Sequence, residues 1–241
     1  MKYTIVTGAA SDIGKAICKK IADNGHQLLL MDIDGPTMDE FLGTLPKSDT
    51  HKRLVVDFSD TNNSEAIIKS FINENHIIID SAVFAAGIFS VKPLRIITHD
   101  YLQKSIDITA YSIIQIMQIV TSKKINADNF ESAVIISSVS ARVGTKGYVI
   151  YSAVKSALLG MMHSLAVEFA PKVRINAILP GGIRTKATAF IYDASGTVNT
   201  RSLLGEGSPY DIACMVSFLL SKESKWITGQ EFVIDGGSNI N

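Results

Sequence analysis

Three side chains in the second half of the chain could move a proton together: Ser138, Tyr151 and Lys155. Tyr151 and Lys155 are four residues apart, which on a helix places them on one face, a turn from each other. An ammonium beside a phenol favours the phenolate, so this spacing predicts a Tyr151 pKa below its usual value near ~10. A phenol tuned toward neutral pH can protonate a forming alkoxide or take the proton of an alcohol. A serine hydroxyl alongside can hold the same oxygen. The set suits exchange of hydride and proton at a carbonyl carbon. The bare pair is a weak signal, because an exposed tyrosine followed by a solvated lysine reads the same way. The rest of the chain has to supply the context.

Short apolar runs alternate with longer amphipathic ones, with no repeat and no low-complexity break. Tyr3–Thr7 reads as a strand, and Ile13–Asn24 as a helix stopped by Gly25. Leu28–Met31 is continuously apolar, the mark of a strand buried on both faces. Leu54–Val56 follows as a third strand, then a helix over Ser64–Glu74, and Ser81–Ala86 as the fourth strand. Thr98–Ile125 contains a long helix with apolar Ile106, Ile113, Ile116, Met117 and Val120. Ala133–Ile136 is the fifth strand, Tyr151–Ala170 a helix stopped by Pro171, Val173–Leu179 the sixth strand and Glu231–Ile234 the last. Repeated β-α-β order predicts an α/β fold: a doubly wound, mainly parallel sheet with helices on both faces. Ligands of such sheets sit at the carboxyl ends of the strands. The polar stretch 186–202 is read as a loop near those ends, a candidate substrate lid.

A chain of 241 residues suits one domain, 1–241, with a full core. Its 23 basic and 23 acidic side chains cancel, which argues against nucleic acid or an anionic membrane as the main partner. Lys2–Thr7 already reads as a strand rather than a signal peptide, and no apolar run is read as a membrane span. A soluble, cytoplasmic protein is the expectation. Cys18 and Cys214 lie far apart without metal-ligand spacing, so both are expected to be small buried fillers and no metal is expected.

The second candidate site is the stretch Thr7-Gly8-Ala9-Ala10-Ser11-Asp12-Ile13-Gly14, which follows the first strand and opens the first helix. Small residues there let the backbone approach a pyrophosphate, whose charge is favoured at a helix N-terminus. A plain tight turn would look similar. In order, however, the pieces resemble the classical short-chain dehydrogenase/reductase family over nearly the whole chain. Thr7, Gly8 and Gly14 match its T-G-x-x-x-G-x-G, and Ser138, Tyr151 and Lys155 its serine and Y-x-x-x-K. Arg174-Ile175-Asn176 with Pro180-Gly181 matches its R-x-N…P-G stretch, and Trp226–Gly237 is similar to its usual ending. The extended sugar-epimerase form requires a glycine where this chain has Ser11, and fits less well.

The resemblance implies a Rossmann-type fold and an oxidoreductase acting on a small-molecule substrate. Tyr151 would be the acid or base, Lys155 would tune it and hold the nicotinamide ribose, and Ser138 would bind the substrate oxygen. Cofactor contacts are implied at Gly8, Ser11, Asp12, Ile13 and Gly14, at Asp57 and Phe58 after the third strand, and at Ala85, Ala86 and Gly87. Pro180, Gly181, Ile183 and Thr185 complete that set, Thr185 toward the carboxamide. Asp32, 24 residues after Gly8, could bond a ribose 2′-hydroxyl and repel a 2′-phosphate, which favours NAD over NADP. Three positions depart from the family pattern. Asp12 replaces its middle glycine, and is expected to cap the helix and point away. Phe84-Ala85-Ala86-Gly87 lacks a sheet-bracing asparagine. Asp107, on the long helix, takes the place of a fourth catalytic residue, an asparagine that helps hold a water in a proton relay to the lysine. Arg142, Lys146, Arg184 and Arg201 could border an anionic substrate, although solvated surface charge is the plainer reading. Two alternatives stay open: a carrier-linked β-ketoacyl reductase, and a dinucleotide-binding protein with weak catalysis. The family also implies a homo-oligomer, a dimer or a tetramer, built through its two long helices.

Overall fold

In the computed structural model, which describes residues 2–189 and 202–240, seven parallel strands form one sheet. They are β1 (Lys2–Thr7), β2 (Gln27–Asp32), β3 (Lys52–Val55), β4 (Ile78–Phe84), β5 (Ser132–Ile136), β6 (Arg174–Pro180) and β7 (Glu231–Ile234). The spatial order is β3-β2-β1-β4-β5-β6-β7. The chain runs outward from β1 in one direction, then crosses back to β4 and runs outward in the other. The crevice between the carboxyl ends of β1 and β4 is therefore the topological switch point where ligands of such sheets bind.

Side chains alternate across the sheet and fill two cores. Ile5, Ala82, Phe84, Ile135 and Leu179 point to one face, Val6, Val83, Val134 and Ile178 to the other. On the first face pack α3 (Thr61–Glu74), α5 (Ser112–Val120) and α7 (Val149–Phe169), through Ile68, Ile116 and Leu158. On the second pack α1 (Asp12–Asp23), α2 (Gly35–Leu42) and α8 (Pro209–Leu220), through Ile17, Met38 and Val216. Full burial of such an aliphatic side chain stabilises by about 1.5–3 kcal/mol. The outer strands follow the same rule less strictly, since β3 and β7 each have only one neighbour.

The long central helix is not continuous. It consists of α4 (His99–Ile106), a π-helical turn over Asp107–Tyr111, and then α5, with the short α6 (Lys123–Asn126) after it. A π turn inserts an extra residue and reorients the face that follows. Among the described residues, two helices have no counterpart in the sequence reading, α2 and α8. The second opens at Ser208-Pro209 with Asp211 three residues on, a start signature present in the sequence, and the Ser208 N–H and hydroxyl both donate to the Asp211 carboxylate. Helix α7 is long and apolar enough, by length and composition, to cross a membrane, which corrects the reading that no run qualifies. Its Val154, Leu158, Leu159, Met162 and Ala166 are buried against this fold. Cys18 is buried as expected, and burial pushes its thiol well above the usual range; Cys214 is partly exposed. Most of the predicted loop 186–202, including Arg201, lies outside the described residues.

Candidate active site

Each wall of the cleft is set by a local rule of chain geometry. After β1 the backbone turns at Gly8 with φ +69°, and a side chain there would come within 2.8 Å of the Ala85–Ala86 backbone. A Cβ on Gly14 would overlap the Gly8 carbonyl. Ser11 caps α1, its hydroxyl accepting from the Gly14 N–H at 3.0 Å. These constraints aim the first turn of α1 at the crevice. The missing family asparagine has a local substitute. Thr7 Oγ1 accepts from the Ala85 and Ala86 N–H groups at 3.1 and 3.2 Å and ties β1 to the turn after β4.

The opposite wall holds the hydroxyl and amine side chains. Ser138 follows β5, Tyr151 and Lys155 lie in the first two turns of α7, and all three line one cavity of about 740 Å³. The same cavity is lined by Ser11, Asp12 and Ile13 from the first turn of α1, by Ala85 and Gly87 after β4, and by Pro180, Gly181, Ile183 and Thr185 after β6. The structure thus brings most of the sequence-predicted set together. Gly8, Gly14 and Ala86 shape the wall from behind without lining it.

Tyr151 does not have the low pKa that the spacing predicts. Burial pushes the phenol up; the hydrogen bond with Ser138 opposes this, and Tyr148 adds a smaller upward push. The reason is where the ammonium goes. Lys155 Nζ donates to the Ile136 carbonyl at 2.8 Å and lies 5.8 Å from the centre of the Tyr151 ring, below the ring face. Lys155 is itself buried, and burial lowers its pKa to about 8. Phe89 and Tyr148 meet Tyr151 edge to face at 5.1 and 5.7 Å and fix its ring.

Four of the predicted residues are placed elsewhere. Asp107 does not line the cleft; its carboxylate accepts from Gln103 at 2.8 Å, and its carbonyl accepts from the Ser112 N–H in the π turn. The small space beneath Lys155 and Tyr151 is lined by Tyr101, Ser105 and Thr109 instead, because the extra π residue turns Thr109 inward. Phe58 is a core residue, and Asp57 accepts from the Ser59 N–H and hydroxyl, which hold its carboxyl below the usual range. Asp32 accepts from the Ala10 and Asp34 N–H groups, at 3.0 Å each, at the edge of the cleft. Neither Asp57 nor Asp32 is among its lining residues. Asp12 does not cap its own helix, contrary to expectation. Its Oδ2 accepts from the Lys186 N–H at 2.6 Å across the cleft.

Among the lining residues that the sequence reading did not assign to the site are Lys15, Asp34 and Thr37 at the β2 end, and Phe89 and Tyr148 beside Tyr151. Asp34 caps α2 and is held below the usual carboxylate range, chiefly by Thr37 and to a smaller degree by Lys15. An aspartate three residues before a threonine at a helix start was a readable cap. Arg142 and Arg184 are paired with Glu231 and Glu206, and neither lines the cleft, nor does Lys146.

The residues present fit a dinucleotide. A glycine turn that no side chain could enter leads onto a helix N-terminus, at one end of an elongated cleft whose other end holds a hydroxyl pair over an ammonium. A family model described as enoyl-(acyl carrier protein) reductase matches residues 8–239. The 3-oxoacyl-(acyl-carrier-protein) reductase FabG of Thermotoga maritima is 31% identical over 98% of this chain and 97% of its own length. The NADP-dependent L-rhamnose 1-dehydrogenase of Thermoplasma acidophilum is also 31% identical, over 100% of this chain and 97% of its own length. A solved structure of 4-hydroxyisoleucine dehydrogenase complexed with NADH superposes with a TM-score of 0.91 at 26% identity, covering 100% of both chains. The chain belongs to the short-chain dehydrogenase/reductase family, and is an oxidoreductase acting on CH–OH groups of small molecules.

Proposed function

We propose that the protein interconverts a secondary alcohol and a ketone with NAD(H). The observation that carries this reading is the Ser138–Tyr151 hydroxyl pair, set over Lys155, on the wall of the same cleft that begins at the Gly8–Gly14 turn. A bound nicotinamide supplies or accepts the hydride. Ser138 holds the substrate oxygen. Tyr151 gives its proton to that oxygen in reduction and removes it in oxidation. A phenol raised by burial is protonated at neutral pH, so the resting site is set for reduction and oxidation gains as pH rises. Lys155, held by the Ile136 carbonyl, keeps a positive charge beneath the ring below about pH 8.

The preference for NAD rests on charge. Asp32 and Asp34 stand at the β2 end against the single ammonium of Lys15, a balance that opposes an added 2′-phosphate. The carrier-linked β-ketoacyl reductase remains the second reading, favoured by the FabG relative and by Lys15 at that end. Parallel assays with NADH and NADPH separate the two. A homo-oligomer belongs to the same proposal, supported by exposed Tyr111 and Ile114 near α5 and by Val167 of α7, 81% exposed; mass in solution tests it.

Tyr151→Phe tests the proton donor. Turnover should fall by about 10²–10⁴-fold while NADH binding, read by calorimetry, persists. Turnover within a factor of a few of the unaltered protein would remove Tyr151 from that role.

A further inference from the structure

The carboxylate of Asp12 lies in the first turn of α1, on the positive end of the helix, where the family pattern has a glycine without charge. It takes no part in capping that helix, which Ser11 does. It reaches across the cleft instead. Oδ2 accepts the Lys186 main-chain N–H at 2.6 Å, so a residue of the turn after β1 grips the segment after β6. Both partners line the cavity. A helix N-terminus and a main-chain N–H directed at the same point are the groups that bind an anion's oxygens. Here the Lys186 N–H is already taken by a side-chain carboxylate that stands in the first turn of α1.

We propose that Asp12 is a resident substitute for the dinucleotide's diphosphate: its carboxylate holds the anion position, ties the segment 183–189 to the dinucleotide turn, and must be displaced when a diphosphate enters. Asp12 thereby weakens dinucleotide binding and couples it to release of that segment. The proposal rests on the reading of this cleft as a dinucleotide site. Its physical basis is a competition of like charges. A carboxylate and a phosphate cannot share one helix end and one N–H, and at roughly 5 Å their repulsion, screened by solvent, is large enough for about a tenfold effect on affinity. Lys15, the nearest cation on α1, does not neutralise Asp12, because it faces Asp34 and lies 6.0 Å from the centre of the Phe41 ring. The exposed Lys186 meets Asp12 through its main chain.

Two variants separate charge from tether. Asp12→Asn keeps an acceptor for the Lys186 N–H and removes the charge. Asp12→Gly removes both and restores the family residue. NADH binding by fluorescence, and ADP and adenosine binding by calorimetry, should be measured on the unaltered protein and on both variants. Both should bind NADH and ADP about tenfold more tightly, with adenosine unchanged. Asp12→Gly alone should also be cut faster by trypsin after Lys186 in the free protein. Unchanged or weaker ADP binding in both variants would overturn the proposal, as would an equal gain for adenosine or unaltered cleavage at Lys186. Failure of all three proteins to bind NADH, NADPH or ADP would instead remove the dinucleotide reading beneath it.

Discussion

In the function proposed here, side chains carry the chemistry at the α7 end of the cleft and the backbone only places them; at the α1 end the backbone carries the binding and side chains mostly have to stay out of the way. The proposed roles of Ser138, Tyr151 and Lys155 depend on residue type, and each has the partner that orients it: Tyr151 for Ser138, Phe89 and Tyr148 for Tyr151, the Ile136 carbonyl for Lys155. The Gly8–Gly14 turn depends on what is missing, the two Cβ atoms that would strike the Ala85 backbone and the Gly8 carbonyl. The lesson is about tolerance. A functional-group end fails when an atom is removed, whereas a backbone end fails when an atom is added, and Asp12 is an addition.

The comparison can be broken most severely by adding one atom to the turn. Gly14→Ala places a Cβ on the Gly8 carbonyl, so the turn must shift, at a cost on the order of 3 kcal/mol or more. Denaturant unfolding and NADH titration should both show it, the second even where the protein stays folded. A fully stable variant with unaltered NADH affinity would mean that the turn does not depend on close approach.

The contrast also explains what the sequence disclosed. The strands were readable because β1, β2, β4, β5 and β6 are buried on both faces and so are nearly continuous apolar runs. Ser138, Tyr151 and Lys155 were readable because their chemistry is carried by residue type. The low phenol pKa was not, because four-residue spacing says nothing about depth. Lys155 lies beneath the ring and bonds a carbonyl, and desolvation of the phenol outweighs its hydrogen bond with Ser138. The expectation for Asp107 rests on the match to the family's asparagine, which says nothing of where a side chain points: in the structure its carboxylate bonds Gln103 beside a π turn, and Thr109 lines the space next to Lys155. Asp12 was expected to cap α1, but Ser11 already does so, which leaves the carboxylate for Lys186, a residue 174 positions away.

At the functional-group end, Lys155→Met removes a buried cation. Turnover should fall by about 10²-fold or more, since the charge beneath the ring is lost. Stability should move the other way, and with pH. The folded-state pKa of about 8 lies below the ordinary lysine value of 10.5, so the folded form gives up this proton first. The cost of burying the ammonium is therefore complete below pH 8, shrinks as pH rises, and is gone above 10.5. The stability of the unaltered protein relative to Lys155→Met should rise by on the order of 2 kcal/mol between pH 7 and 9.5. A pH-independent difference would show that Lys155 does not titrate in this range.

The smallest change sharpens the boundary between the two ends. Thr7→Val keeps shape and removes the acceptor for the Ala85 and Ala86 N–H groups. It should cost about 1–2 kcal/mol in denaturant unfolding, with dinucleotide affinity lowered and the Ser138–Tyr151 end intact. A variant as stable as the original would mean that water replaces Thr7 without loss.

The most direct measurement follows the hydride. The protein is incubated with NADH carrying deuterium at the transferable nicotinamide position and a panel of neutral ketones, and the alcohols formed are examined by mass spectrometry and NMR. Deuterium on the carbinol carbon, with none appearing when Tyr151→Phe replaces the unaltered protein, is the expected result. NADH binding with no label transferred to any ketone, under conditions where the protein is folded, would contradict the oxidoreductase reading and leave a dinucleotide-binding protein in its place.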